Sequence, residues 1–213
     1  MKTKKLSFKT LTAVRALSLM LLSTLLFTSC DNTEEKEISL ITEEDAVEVL
    51  ESALMDGSEG ISNEAQDAAL VAKNYSGENA NISSCGESFD STVMKVVNQT
   101  AIQASYSTSW TWTITCNDFS IPQTLTFGRT ASGNYETNRF TGESQSSSDW
   151  LLDNLILGGS WNLDGTCSRN GTHQSKVRNQ NAFSFDLNMV IAGLEVDKDE
   201  PEILAGEGTF TLL

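Results

Sequence analysis

The chain predicts a mainly β fold: an antiparallel β-meander, built as a curled sheet, half-barrel or sandwich, with an N-terminal helical hairpin in front of it. Three observations carry this expectation. The apolar period changes from helical to strictly alternating at about Cys85. Beyond that point Ser, Thr, Asn and Gly are abundant, and the 213 residues hold only 2 prolines, a mixture that suits strands joined by tight turns. The helical stretch before Cys85 is rich in alanine and buries little surface alone, so it needs a sheet to lie against. The expected organisation is a leader over 1–29, a tether over 30–41, a helical hairpin over 42–77 and a β domain over 85–213.

The chain starts with Lys2, Lys4, Lys5, Lys9 and Arg15 and no acidic residue, followed by an apolar run over 16–27 that ends in Thr28-Ser29-Cys30. This is the layout of a secretory signal peptide. As a helix the run would reach about 18 Å, well short of a hydrocarbon core of about 30 Å, so a stable membrane span is not expected.

The junction Leu26-Phe27-Thr28-Ser29-Cys30 resembles the lipobox of bacterial lipoproteins. The resemblance implies cleavage after Ser29 and lipidation of Cys30, with diacylglycerol on the thiol and usually an acyl chain such as palmitate on the new N-terminus. Phe27 departs from the pattern, which favours Leu, Val or Ile three places before the cysteine. Each buried CH₂ is worth about 0.8 kcal/mol, so two or three chains would hold the protein on a bilayer. After Cys30 comes Asp31-Asn32-Thr33-Glu34-Glu35-Lys36-Glu37, too polar to order itself and read as a leash. It looks like the acidic export stretch of surface-displayed lipoproteins in some Gram-negative groups; in others, Asp beside the cysteine retains the protein in the inner membrane. The outer membrane, with possible surface exposure, is the expected location.

Formal net charge is −15, from 14 Lys+Arg and 29 Asp+Glu. The leader holds five of the basic residues, so the remainder has 9 against 29, a net −20. That balance argues against nucleic acid or anionic lipid as a direct partner.

Thr42 can cap a helix whose first turn is Glu43-Glu44-Asp45, favourable at the positive end of the dipole. Ala46, Val47, Leu50, Ala53 and Leu54 recur at helical spacing, placing Glu48 and Glu51 on the solvent side, and Gly57 stops the helix. Ser62 can cap a second helix with Ala65, Ala68, Ala69, Ala72 and Tyr75 in a narrow stripe, ending at Gly77.

Two strand-like segments, 89–97 and 106–115, follow as a hairpin. In the second, Trp110, Trp112, Ile114 and Cys116 point one way and the threonines the other. Leu125 and Phe127 alternate with threonines; Ala131-Ser132-Gly133-Asn134 reads as a turn and 144–148 as a serine-rich loop. Residues 150–157 fit either a short helix or a buried strand. Trp161, Leu163, Gly165 and Cys167 share a face, and Asn170-Gly171 signals a type I′ hairpin. Phe183, Phe185, Leu187, Met189 and Ile191 make another one-sided strand, and 197–201 turns it into a last strand from Ile203.

With Cys30 assigned to lipid, Cys85, Cys116 and Cys167 remain in a compartment that permits disulfides. Folding the first hairpin symmetrically sets Cys85 opposite Cys116, which are expected to pair, leaving Cys167 free and buried. No C-x-x-C motif is present, so a redox enzyme or zinc ribbon is not expected.

Signals for catalysis are weak, and the expectation is no enzyme, no cofactor and no metal. His173 is the only histidine, and beside the Asn170-Gly171 turn it should be solvated. No G-x-S-x-G, H-E-x-x-H or P-loop pattern is present. The acidic segment 197–202 departs from a calcium-loop pattern and reads as a β-turn. A pair of carboxylates would suffice for glycoside hydrolysis, but sequence does not place one. Trp110, Trp112 and Trp161 could stack on sugar rings, although the alternation of the first two with threonines favours core. The chain is therefore expected to be a membrane-anchored envelope lipoprotein with a structural or interaction role toward an envelope protein. A glycan-binding accessory module is the alternative, and a carboxylate hydrolase the third reading.

Overall fold

The computed structural model describes residues 4–9, 41–75, 85–178 and 182–213. Residues 10–40, with most of the leader, Cys30 and the tether, lie outside the described residues, as does Gly77. Lys4–Lys9, within the expected leader, forms a strand, β1. Seven antiparallel strands make the main sheet: β2 (Ser88–Asn98), β3 (Ile102–Cys116), β4 (Pro122–Thr137), β5 (Phe140–Asp153), β6 (Ser160–Ser175), β7 (Phe183–Asp197) and β8 (Ile203–Leu212). They pair in chain order as a meander that does not close, and β1 adds antiparallel at the β8 edge. That edge offers unpaired N–H and C=O groups, which is why an alternating segment can pair there.

Helix α1 (Glu43–Leu54) starts where expected. Thr42 and Asp45 form a capping box, the Asp45 N–H donating to Thr42 Oγ1 at 3.2 Å and the Thr42 N–H to Asp45 Oδ2 at 3.0 Å. The helix ends at Met55, just ahead of a short 3₁₀ turn, Asp56–Ser58. Helix α2 (Ile61–Lys73) is capped by Gly60, and Ser62 lies inside it rather than at its start. The reason is steric. A Cβ on Gly60 would stand 2.5 Å from the Ala53 carbonyl oxygen, so only glycine lets the two helices approach this closely.

The alanine stripe of α2 is buried as expected, with Ala65, Ala68, Ala69 and Ala72 in one core with the sheet. For α1 the expected face is wrong. Asp45, Glu48, Val49, Ser52 and Ala53 turn inward, while Val47 is 57% exposed. The helix is rotated because the part of the sheet beneath it is polar.

Long strands explain that polarity. On the inner face one register row reads Ile114, Leu125, Leu152, Leu163, Leu194, and the next Trp112, Phe127, Trp150, Gly165, Ile191. Further along the same strands the inward positions become Arg129, Ser148, Arg169, Tyr106, Tyr135, His173 and Ser175, all buried. The apolar half lies under α2, which packs on β4, and α1 packs on β6.

Three expected interruptions are continuous strand instead. Gly133-Asn134 lies within β4, the 144–148 serines within β5, and Asn170-Gly171 within β6. These glycines serve curvature, not turns. Gly133 and Gly171 share an inward register row with Tyr106, Ser144 and Phe185, and a Cβ at either would overlap the carbonyl oxygen of Ser105 or Glu143 on the next strand. Gly142 is similarly pressed, 2.5 Å from the Thr172 carbonyl oxygen if it carried a Cβ. Inward glycines let the sheet curl tightly round the helices. The real turns lie elsewhere: 138–139 links β4 to β5, and residues 150–153 stay in strand before the loop 154–159. At the β7 end, Asp197 Oδ1 accepts from the N–H groups of Asp199 at 2.7 Å and Glu200 at 3.0 Å, the expected turn.

Cys85 and Cys116 form the expected disulfide, and Cys167 is free and buried. Trp110, Trp112 and Ile114 face inward and the intervening threonines outward, as the alternation requires.

Candidate functional site

The helical hairpin holds a buried polar centre against the sheet. Arg129 points inward from β4 with its side chain fully covered. Its guanidinium pairs with Glu59, donates to Glu64 Oε1 at 3.1 Å and faces Asp67 Oδ2 at 3.6 Å. Glu59 adopts φ +54, an uncommon conformation for a non-glycine residue, at the turn between the helices. Its carboxylate also accepts from Thr108 Oγ1 at 3.3 Å, and Glu64 accepts from Trp150 Nε1 at 3.1 Å. Such a centre is tolerable because each charge is met by a fixed partner. Burial, with Glu64 beside it, pushes the Cys167 thiol well above its ordinary pKa, so the thiol is inert.

Arg169, one register row further along, solves a different problem. It donates to the Ser52 carbonyl at 3.2 Å and the Ser58 carbonyl at 3.0 Å, and lies over the Tyr135 ring. Ser52 is in the last turn of α1, where carbonyls lack helical partners, so Arg169 caps that negative end from below.

His173 contradicts the expectation of a solvated turn histidine. It is completely buried in β6, with Nδ1 3.2 Å from Tyr135 Oη and Nε2 3.3 Å from Glu48 Oε2. Glu48, expected on the solvent side, also accepts from Ser175 Oγ at 3.2 Å and Arg178 Nη2 at 2.9 Å. Burial lowers the imidazole pKa below its ordinary 6.5, against the opposing pull of Glu48. The unfolded chain therefore takes up the proton first as pH falls. Stability is full above pH about 6.5 and declines below it, by at most about 1.4 kcal/mol per pH unit, until the folded-state pKa is reached. Denaturant midpoints between pH 7.5 and 5 should show this decline, and His173→Gln should flatten it. An equal decline in the variant would remove His173 as the cause.

The three tryptophans named as stacking candidates lie on the inner face. Trp161 is fully buried. Trp110 is half-buried, donating to Asp67 Oδ2 at 3.3 Å with Lys95 over its ring. Trp112 is half-buried, stacked on Phe89 and donating to Tyr75 Oη at 3.2 Å. They pack the hairpin to the sheet and form no outward platform.

The outer face of the sheet carries the exposed candidate surface. A concavity of about 860 Å³ spans β2 to β7, and its outward lining includes Asp90, Thr111, Thr126, Gly128, Asp149 and Thr166. Asp90, Thr111, Gly128, Asp149 and Thr166 form one register row across five strands. Two smaller hollows continue it along the strands over Ser107, Ser132, Gln145 and Asn170. Apart from Gly128 and Leu151, the outward positions of β3, β4, β5 and β6 hold Ser, Thr, Asn, Gln and carboxylates, with no Lys, Arg or aromatic residue. Alternation with the apolar positions made this hydroxyl face readable in sequence; its concavity was not. Among the described residues no group of three or more His, Cys, Asp or Glu could hold a metal ion. Nor is any described helix long and apolar enough to cross a membrane.

Compared with known proteins, the chain matches no family model, no curated protein and no solved structure.

Proposed function

We propose that the chain is a cell-envelope lipoprotein, anchored through Cys30 to the outer membrane, that serves a non-catalytic structural or interaction role. The observation that carries this reading is the basic leader, its short apolar run and the cysteine at its end. The acidic stretch after Cys30 would act as the leash, holding the sheet clear of the anionic bilayer that its own negative charge repels. The buried state of His173 and the inert setting of Cys167 agree with a role that does no chemistry at those groups. The anchor is tested by intact mass of the native protein from detergent-solubilised membranes, beside a Cys30→Ala variant. A lipid-sized increment that vanishes in the variant is expected. A soluble, unmodified native protein would overturn the proposal.

A second reading, a carboxylate-dependent hydrolase, has one observation behind it. Asp149 pairs with Thr166 and Asp164 with Leu151, so the two carboxylates are diagonal neighbours, with backbones about 7–8 Å apart, in the outer trough. That spacing suits an inverting glycosidase. Both carboxylates stand in water, however, without the burial that makes a general acid in such enzymes, so the non-catalytic reading is preferred.

A further inference from the structure

The outer trough deepens the interaction role proposed above, and its chemistry narrows the ligand by elimination. A peptide strand needs an open sheet edge, whereas the backbone groups of β3, β4, β5 and β6 are all engaged in ladders with neighbours on both sides. A helical peptide needs a continuous apolar groove and a proline-rich one needs aromatic walls; the trough offers only Leu151 and Val190, exposed on β5 and β7 with the polar β6 between them, and no outward aromatic ring. Anionic polymers and phosphate groups meet Asp90, Asp149, Asp164 and Glu143 with no cation facing them on these strands. What remains is a neutral ligand dense in hydroxyl groups.

The lining fits such a ligand. Side-chain hydroxyls, amides and carboxylates stand in a grid whose steps are about 4.8 Å across the strands and about 6.8 Å along them. The cross-strand step is comparable with one pyranose ring, so a linear chain laid across the sheet would meet a fresh set of polar groups at each sugar. Gly128 leaves a slot at the middle of the trough. A Cβ there would lie 2.9 Å from Thr111 Oγ1 and 3.6 Å from Asp149 Oδ1, so these two oxygens stand on either side of the bare Cα, and the absence of a side chain leaves the space above it to a ligand. A sugar hydroxyl in the slot could donate to the carboxylate and accept from the threonine at once. We infer that the outer trough is a binding site for an extended neutral polysaccharide, recognised by hydrogen bonds at the Thr111–Gly128–Asp149 slot and not by stacking on tryptophan.

The test is native affinity electrophoresis of the full chain in mild detergent, with a linear β-glucan, a mannan or a xylan in the gel, and polygalacturonate as the anionic comparison. Retardation by at least one neutral polymer and none by polygalacturonate is expected. Gly128→Val fills the slot against the movable end of Thr111 and should weaken retardation about tenfold, as should the near-isosteric Thr111→Val, each removing about one hydrogen bond's worth of affinity. Thr209→Val, on the same face of β8 but outside the trough, should change nothing. Thermal melts check that the variants are folded. The Cys30→Ala chain should bind as the native one does, so loss of the anchor and loss of the trough are separate results. Retardation by none of the neutral polymers, by polygalacturonate alone, or equally by both slot variants would overturn the inference.

Discussion

Arg129→Met is expected to cost about 3–5 kcal/mol of folding stability, the range for removing one partner of a buried ion pair. The side chain is fully covered, and Glu59 and Glu64 beside it are nearly so. Methionine fills much of the volume, so the loss comes from leaving Glu64 in the interior without its cation and Glu59 with only the partly exposed Lys95, 3.4 Å away. Set against a typical total of about 5–15 kcal/mol, this is a large fraction of the fold's stability. The triple variant Arg129→Met/Glu59→Gln/Glu64→Gln should recover much of it, because Gln at position 64 can still accept from Trp150 and no charge is stranded. Urea denaturation of the single and triple variants measures both. A single-variant loss below about 1 kcal/mol would mean that these charges are not enclosed as described.

Removing the Cys85–Cys116 bridge ranks next. The bond spans 31 positions and should contribute about 3–4 kcal/mol in the chain-entropy model. Its place matters as well as its loop. It ties the start of β2, the edge strand away from β8, to the end of β3, next to the Tyr75, Phe89 and Trp112 rings that join α2 to the sheet. The variant Cys85→Ser/Cys116→Ser should therefore lose stability globally and also show faster amide exchange in β2 than in β5 or β6. Uniform exchange across the sheet would locate the bridge's effect in the unfolded chain alone.

Much of the fold was legible because local rules and tertiary needs agree there. Thr42 and Asp45 form a cap from adjacent residues, and Trp110, Trp112 and Ile114 alternate with threonines at the period of a strand. The Cys85–Cys116 pairing followed from hairpin symmetry alone. The errors cluster where a residue's local preference was overruled. Gly133 and Gly171 look like turn residues, yet they are spent on strand curvature. Once Asn170-Gly171 is strand, alternation carries His173 to the inner face. Glu48 reads as solvent-facing only while the surface beneath α1 is assumed to be apolar. No signal within the helix itself announces that Tyr135, Arg169 and His173 lie below it, since they come from strands 80 to 130 residues later.

The meander, the helical hairpin, the disulfide and the hydroxyl-rich outer face are all legible in the chain, because each depends on period, on nearby residues or on simple symmetry. The buried face of α1, the partners of Arg129, Arg169 and His173, and the hollow of the outer face around Gly128 emerge only on packing. Those depend on how tightly the sheet curls and on contacts between distant strands, and no local pattern encodes them.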